Sequence, residues 1–161
     1  MEYKTSGEIE FALVRYFGRQ NYVIVPNLSY GLFPYEMDLC ALNNRSLYAT
    51  EIEIKISKSD LKRDNKKWHN HDRNYNMIRY LYFAMPDFLK DSIEYVPERA
   101  GVYLVDESGN VTIERKAVAN RLAKKWDYRN AYKLGRLGTI RMWNALEALA
   151  IVKRQNNTSN N

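Results

Sequence analysis

Between residues 49 and 57 the sequence reads ATEIEIKIS. Glu51, Glu53 and Lys55 alternate with Ile52, Ile54 and Ile56. In a strand, successive side chains point to opposite faces, so three charges share one side and three isoleucines the other. Two readings of that charged row compete on these residues alone. One is a half-exposed strand with a solvated, salt-bridged side. The other is a set of carboxylates and an amine gathered for chemistry. A second acidic strand stands just upstream. In YEMDLCAL, residues 35–42, Glu36 and Asp38 share one face, and Met37, Leu39 and Ala41 share the other. The turn-forming NNRS, residues 43–46, joins the two strands as a hairpin and brings Asp38 beside the charged face of EIEIK. Two carboxylates and a lysine then converge on one side of a sheet. Like charges set opposite one another are destabilising. A divalent cation would neutralise them, and all-oxygen donors suit Mg²⁺, which keeps several of its waters. Lys55 can act as a point charge beside a phosphate or help orient a water.

The elements that must carry these residues can be read in order. SGEIEFALVRYFGRQ, residues 6–20, is predicted as a helix. Ser6 is its N-cap, Glu8 and Glu10 lie in the acidic first turn, Ile9, Leu13, Val14 and Phe17 form its apolar stripe, and Gly18 closes it. NYVIVP (21–26) is a short strand stopped by Pro26, and NLSYGLFP (27–34) is a loop. After the charged strand, residues 58–75 turn polar and helical, with Ser57 or Ser59 as cap and Leu61 and Trp68 as anchors. YLYFAMP (80–86) reads as an interior strand buried on both faces. Residues 87–100 form a short helix and a loop, and 101–115 form two strands joined around DESGN. Residues 116–135 are basic and of uncertain conformation. A last helix covers 135–154, with Leu137, Ile140, Trp143, Leu146 and Leu149 at helical spacing. Residues 155–161 read as a disordered polar tail. The order predicts an α/β single domain over residues 1–154, with a central mixed sheet flanked by helices.

Composition narrows the function classes. The 161 residues suffice for one core, and 45% hydrophobic with 27% charged is ordinary for a globular chain. No apolar run approaches the roughly 20 residues needed to span a bilayer. The acidic, polar MEYKTSGEIE does not read as a signal peptide, and none is expected. Cys40 is the only cysteine, so no internal disulfide forms. A cytoplasmic protein without membrane association is expected. His69 and His71 have no further cysteine or histidine ligand nearby and read as polar helix or loop residues. Residues 111–161 hold 11 Lys/Arg against 3 Asp/Glu, while residues 1–110 hold 14 against 16. A basic C-terminal third beside a mildly acidic body points to a polyanion partner, nucleic acid first.

Asp38, followed after the hairpin by Glu53-Ile54-Lys55, resembles the Asp…(Glu/Asp)-x-Lys signature of the PD-(D/E)XK nuclease superfamily. Many members carry a glutamate on the preceding helix, where Glu8 and Glu10 stand here. The continuation, EIKISKSDLKRDNKKWHNH, then YLYFAMP, then GVYLVDESGNV, is similar to the MmcB-type DNA repair nucleases. Those share Glu-x-Lys-Ser, a spaced Asp-Leu/Phe and Asp-x-Lys-Trp, a Tyr-Phe-Ala strand and a Gly-x-x-x-x-Asp strand. Ser57, Asp60, Leu61, Asp64, Lys67 and Trp68 fill those positions. The resemblance covers about residues 8 to 145. It departs from the family where Pro34 lies four residues before Asp38, and where Tyr35-Glu36-Met37 replaces an arginine-rich approach. WDYRNAYKLGR, residues 126–136, has no match.

The resemblance implies a restriction-endonuclease-like fold and a Mg²⁺-dependent DNA endonuclease acting in repair or recombination, with Mn²⁺ as a substitute metal. Asp38, Glu53 and the backbone carbonyl of Ile54 would hold the metal. Lys55 would stabilise developing charge or position the nucleophile. Glu10, preferred to Glu8, would make a water-mediated contact. Resolvases of the superfamily dimerise, which brings a homodimer into consideration. Glu51 is expected to be exposed, with a peripheral or second-metal role as the alternative. Lys58, Lys62, Arg63, Lys66 and Lys67 would place DNA phosphates over the site, against the competing reading of a solvated helix face. Trp68 is expected to pack, and Asp60 and Asp64 to orient Lys67 or the helix. The rival class is a non-catalytic DNA-binding module on the same scaffold, and the intact Asp38, Glu53, Lys55 set argues against it. An RNA-directed factor is a further rival, without a recognisable RNA-binding motif to support it.

Overall fold

Six strands follow one another in the sheet in the order in which they follow one another in the chain. The computed structural model describes residues 5–28, 32–33, 35–65 and 76–158. Helix α1 (Ser6–Phe17) leads into β1 (Tyr22–Leu28), β2 (Met37–Asn43) and β3 (Ala49–Ile54), which pair antiparallel in turn. Helix α2 (Lys58–Asn65) crosses to β4 (Ile78–Pro86), and the 3₁₀ helix Asp87–Tyr95 crosses to β5 (Gly101–Val105). Both crossings give parallel pairs, which a tight hairpin cannot make. Strand β6 (Val111–Arg115) returns antiparallel, and helix α3 (Tyr128–Thr158) ends the described chain. The fold is α/β, a mixed open sheet flanked by helices, as expected.

The register sorts side chains onto two faces. Leu39, Ile52 and Tyr82 stand abreast, and Ile54 stands beside Ala84. These pack with Ile9, Ala12 and Leu13 of α1. On the opposite face lie two further apolar clusters. One gathers Val25, Cys40, Leu42 and Ala49 under Trp126 and Leu134. The other gathers Leu81, Phe83 and Val102 under Leu61 of α2 and Leu89 of the 3₁₀ helix. Leu61 is thus an anchor, as expected. Trp68, His69, His71 and Pro34 lie outside the described residues.

Several boundaries differ from expectation, each for a local reason. The N-cap of α1 is Thr5, one residue before Ser6, because Thr5 and Glu8 form a reciprocal capping box. Gly18 does close the helix, at φ 76°, with its amide donating to the Val14 carbonyl. Strand β1 runs through Pro26 because it is an edge strand, where a missing N–H costs no ladder bond. Residues 116–127 are pinned to the body by main-chain bonds. The amides of Val118, Asn120 and Trp126 donate to the carbonyls of Arg99, Arg79 and Leu47, each at 2.8 Å.

Helix α3 begins at Tyr128, well before residue 135, because the Asp127 carboxylate caps the Asn130 amide at 2.8 Å. Its first half lies on β1. Leu134 is buried, and Gly138 comes so close that a Cβ there would stand 3.1 Å from the Val25 side chain. The Arg141 guanidinium donates to the Asn27 carbonyl. Of the expected apolar stripe, Leu137 reaches the core, whereas Ile140, Trp143, Leu146 and Leu149 are exposed. Residues 155–158, expected as tail, continue the helix.

Candidate active site

Glu51 stands in register between Cys40 on β2 and Leu81 on β4, and Glu53 stands beside Phe83. The charged side of β3 therefore lies along the seam between the two apolar clusters on that face. Glu51 is 3% exposed and Glu53 6%. The solvated-face reading does not describe this strand, and the expectation that Glu51 is exposed is corrected. Buried charges need partners. The Tyr35 hydroxyl donates to Glu51 Oε2 at 2.7 Å, and Lys55 Nζ donates to Glu53 Oε2 at 2.9 Å. Sequence reasoning alone does not single out Tyr35. The only signal for it is its position three residues before Asp38, in a segment between two strands.

Lys55 follows β4 for one residue beyond the strand, its amide donating to the Ala84 carbonyl at 3.0 Å. That bond holds its side chain inward, with the ammonium 5.9 Å from the centre of the Phe83 ring. Asp38, the second residue of β2, lies at the same end of the sheet. Its Oδ2 accepts from the Ile54 amide at 2.8 Å. Asp38, Glu53, Ile54 and Lys55 lie together, and the described contact of Ile54 is through its amide rather than its carbonyl. Glu10 of α1 stands close to one of them, Asp38. It is half-buried and near enough to Asp38 to feel its charge, whereas Glu8 is exposed and spent on the Thr5 cap.

The electrostatics are those of crowded carboxylates. Burial pushes Glu53 up to about 7, helped by the nearby charges of Asp38 and Glu51 and opposed by Lys55. Burial raises Glu10 too, and Asp38 adds to that. Among the described residues no three His, Cys, Asp or Glu side chains form a ready-made metal cage. The donors present are nonetheless all oxygen, and the charge of Asp38 raises the proton affinity of both Glu53 and Glu10. A hard cation held by one or two carboxylates and completed by waters or a phosphate suits such a set.

Around the site, Lys58, Lys62 and Arg63 of α2 are exposed. The ammonium groups of Lys58 and Lys62 stand 5.4 and 5.2 Å from the Tyr95 ring centre. Arg63 pairs with Asp60 at 2.7 Å, so Asp60 orients Arg63; Lys66 and Lys67 lie outside the described residues. Ser57 caps α2 by accepting from the Asp60 amide at 3.2 Å. The basic C-terminal third is carried on α3 by exposed Arg129, Lys133 and Arg136, spaced to share one face, beside the stacked rings of Tyr128 and Tyr132.

Comparison with protein-family models gives no match, and comparison with curated proteins gives none either. Among solved structures, the chain is similar to the SPO1766 protein of unknown function from Silicibacter pomeroyi. The identity is 17% and the TM-score 0.65, over 93% of this chain and 94% of that one. The likeness extends to the arrangement of the fold.

Proposed function

We propose that this chain is a metal-dependent nuclease that hydrolyses phosphodiester bonds in DNA. The observation that supports the reading is the buried group of Asp38, Glu53 and Lys55 at one end of the sheet, with Glu10 entering from α1. Burying two acidic strands' charges against apolar clusters costs stability, and a fold keeps such a cost where function requires it. Asp38 and Glu53, with the Ile54 carbonyl, would hold Mg²⁺ or Mn²⁺. A bound divalent cation supplies a Lewis acid for the phosphate ester. Lys55, held by Glu53 and, through its amide, by the Ala84 carbonyl, would donate to a phosphate oxygen as negative charge builds there. Glu10 would accept a hydrogen bond from a water at the site. The exposed bases of α2 and α3 would bind the phosphate backbone without reading sequence. The choice of DNA rests on the resemblance and on this charge.

The test is a cleavage panel of single-stranded, nicked, flapped and four-way DNA with Mg²⁺ or Mn²⁺, run beside Glu53→Gln. Metal-dependent cutting by the parent and none by the variant supports the reading. DNA binding without cutting in either metal would favour the non-catalytic module instead. Competition by RNA of equal length tests the nucleic acid preferred.

A further inference from the structure

Helix α3 leaves the domain after Arg141, and every residue from Met142 to Asn156 is exposed. The part beyond Arg141 extends for roughly 25 Å at the helical rise. Between residues 140 and 152, seven large apolar side chains are 42% to 63% exposed. In that span only Arg141, Asn144 and Glu147 are polar. A helix that is apolar on all sides is normally covered, and one of this length has little stability of its own in water. We propose that the projecting half of α3 is a homodimerisation surface, paired antiparallel with the same helix of a second copy.

The area agrees with that occupant. Aromatic side chains bury roughly 150–250 Å² each and aliphatic ones less, so seven half-exposed ones present on the order of 500–700 Å² around the helix, the larger part of it on the side of Met142, Trp143, Leu146 and Leu149. A standard interface takes ~800 Å² from each partner. A membrane surface fits less well, because an interfacial helix keeps one strongly polar face in water. Residues 142–152 have no such face. Nucleic acid fits less well too, since leucine, isoleucine, valine and methionine dominate the span and lysine is absent from it. A second copy answers the need symmetrically. Each chain brings one uncovered helix, and a two-fold contact covers the facing side of both and closes. The antiparallel sense follows from charge. Lys153 and Arg154 stand together at the far end of the apolar span. A parallel pair would stack these cations on their own copies, whereas an antiparallel pair sends them to opposite ends. Met142, Leu146 and Leu149, at helical i, i+4 and i+7 spacing, supply the central stripe, with Ala145 small enough for close approach. The inference does not depend on the nuclease reading.

The test is sedimentation equilibrium of the full chain and of the double variant Leu146→Glu/Leu149→Glu, with thermal unfolding followed over a hundredfold range of concentration. The expected result is a dimer for the parent, with a melting temperature that rises with concentration. The variant, altered only at exposed positions, should melt cooperatively as a monomer, its self-association weakened by about a hundredfold or more. A parent that is monomeric throughout overturns the proposal. So does a dimer that the double variant leaves intact. A monomer that binds anionic vesicles through Trp143, seen as a shift in its fluorescence, overturns it in favour of a lipid surface.

Discussion

The Ile54 amide donates to a carboxylate oxygen of Asp38 at 2.8 Å. Backbone pairing between β2 and β3 reaches Leu39 and Ile52. Beyond that rung a side chain takes over. The aspartate is therefore both a strand connector and a candidate metal ligand, and substitutions can separate the two roles. Asp38→Asn keeps an oxygen for the Ile54 amide and should fold with near-parental stability, yet lose cleavage by roughly two orders of magnitude or more. Asp38→Ala should lose cleavage and also about 1–3 kcal/mol of stability, because it strands the amide. Urea unfolding of both, beside the cleavage assay, checks this. Equal stability of the two variants would remove the connecting role.

Glu53 carries the pH dependence. Its folded-state value, about 7, lies above the ordinary 4.5, so the folded chain holds this proton more tightly than the unfolded chain does. The resulting stabilisation is full below about pH 4.5 and is lost as the pH rises through about 7. Without metal, stability should fall across that window by up to about 3 kcal/mol. Glu53→Gln should flatten the slope, and Mg²⁺ should restore stability at the upper end. Urea titrations at half-unit pH steps measure it, and an unchanged slope in the variant would assign the effect elsewhere.

Buried Glu51 and half-buried Tyr35 form a second pair on the charged side of β3. Tyr35→Phe takes a donor from a buried carboxylate and should cost about 1–3 kcal/mol. Glu51→Gln should keep cleavage within about tenfold of the parent, since it is not placed among the metal ligands. A dead Glu51→Gln enzyme that still folds, by circular dichroism and melting, would move the metal position one step along β3.

Salt dependence should separate the two basic surfaces. Lys58 and Lys62 already rest against Tyr95, and Arg63 against Asp60, whereas Arg129, Lys133 and Arg136 share an open face of α3. Reversing the three α3 charges should weaken DNA binding on every sequence. It should also lower the salt slope by roughly 0.9 for each phosphate that the protein no longer neutralises. Reversing Lys62 and Arg63 should do less. Fluorescence anisotropy at several salt concentrations decides, and the opposite ranking would return the DNA path to α2.

Much of this site was legible because strand alternation has a fixed period. Glu53, Lys55 and Asp38 fall on one side of their strands in any hairpin with that turn, and the strand register puts them there. What could not be read was depth. A row of charges looks the same whether it faces water or a seam between apolar clusters, and here the seam is closed by residues distant in sequence. Tyr35 comes from before β2, and Phe83 from β4. The start of α3 was hidden for another reason. Gly135 and Gly138 weaken helix propensity there, yet Gly138 is what lets the helix close on Val25. Asparagines in 155–158 read as tail for the same reason of propensity.

The seating of α3 on β1 joins one of the earliest elements to the last. Trp126 and Leu134 complete the cluster that holds Val25 and Cys40. During synthesis, roughly 100 residues separate the emergence of β1 from that of α3, a delay of about 5–20 s at ribosomal rates. Throughout it the nascent β1–β2 hairpin shows an uncapped greasy side and an open edge. That side is covered only once Trp126 and Leu134 have followed, so the order of synthesis leaves this cluster among the last to be completed.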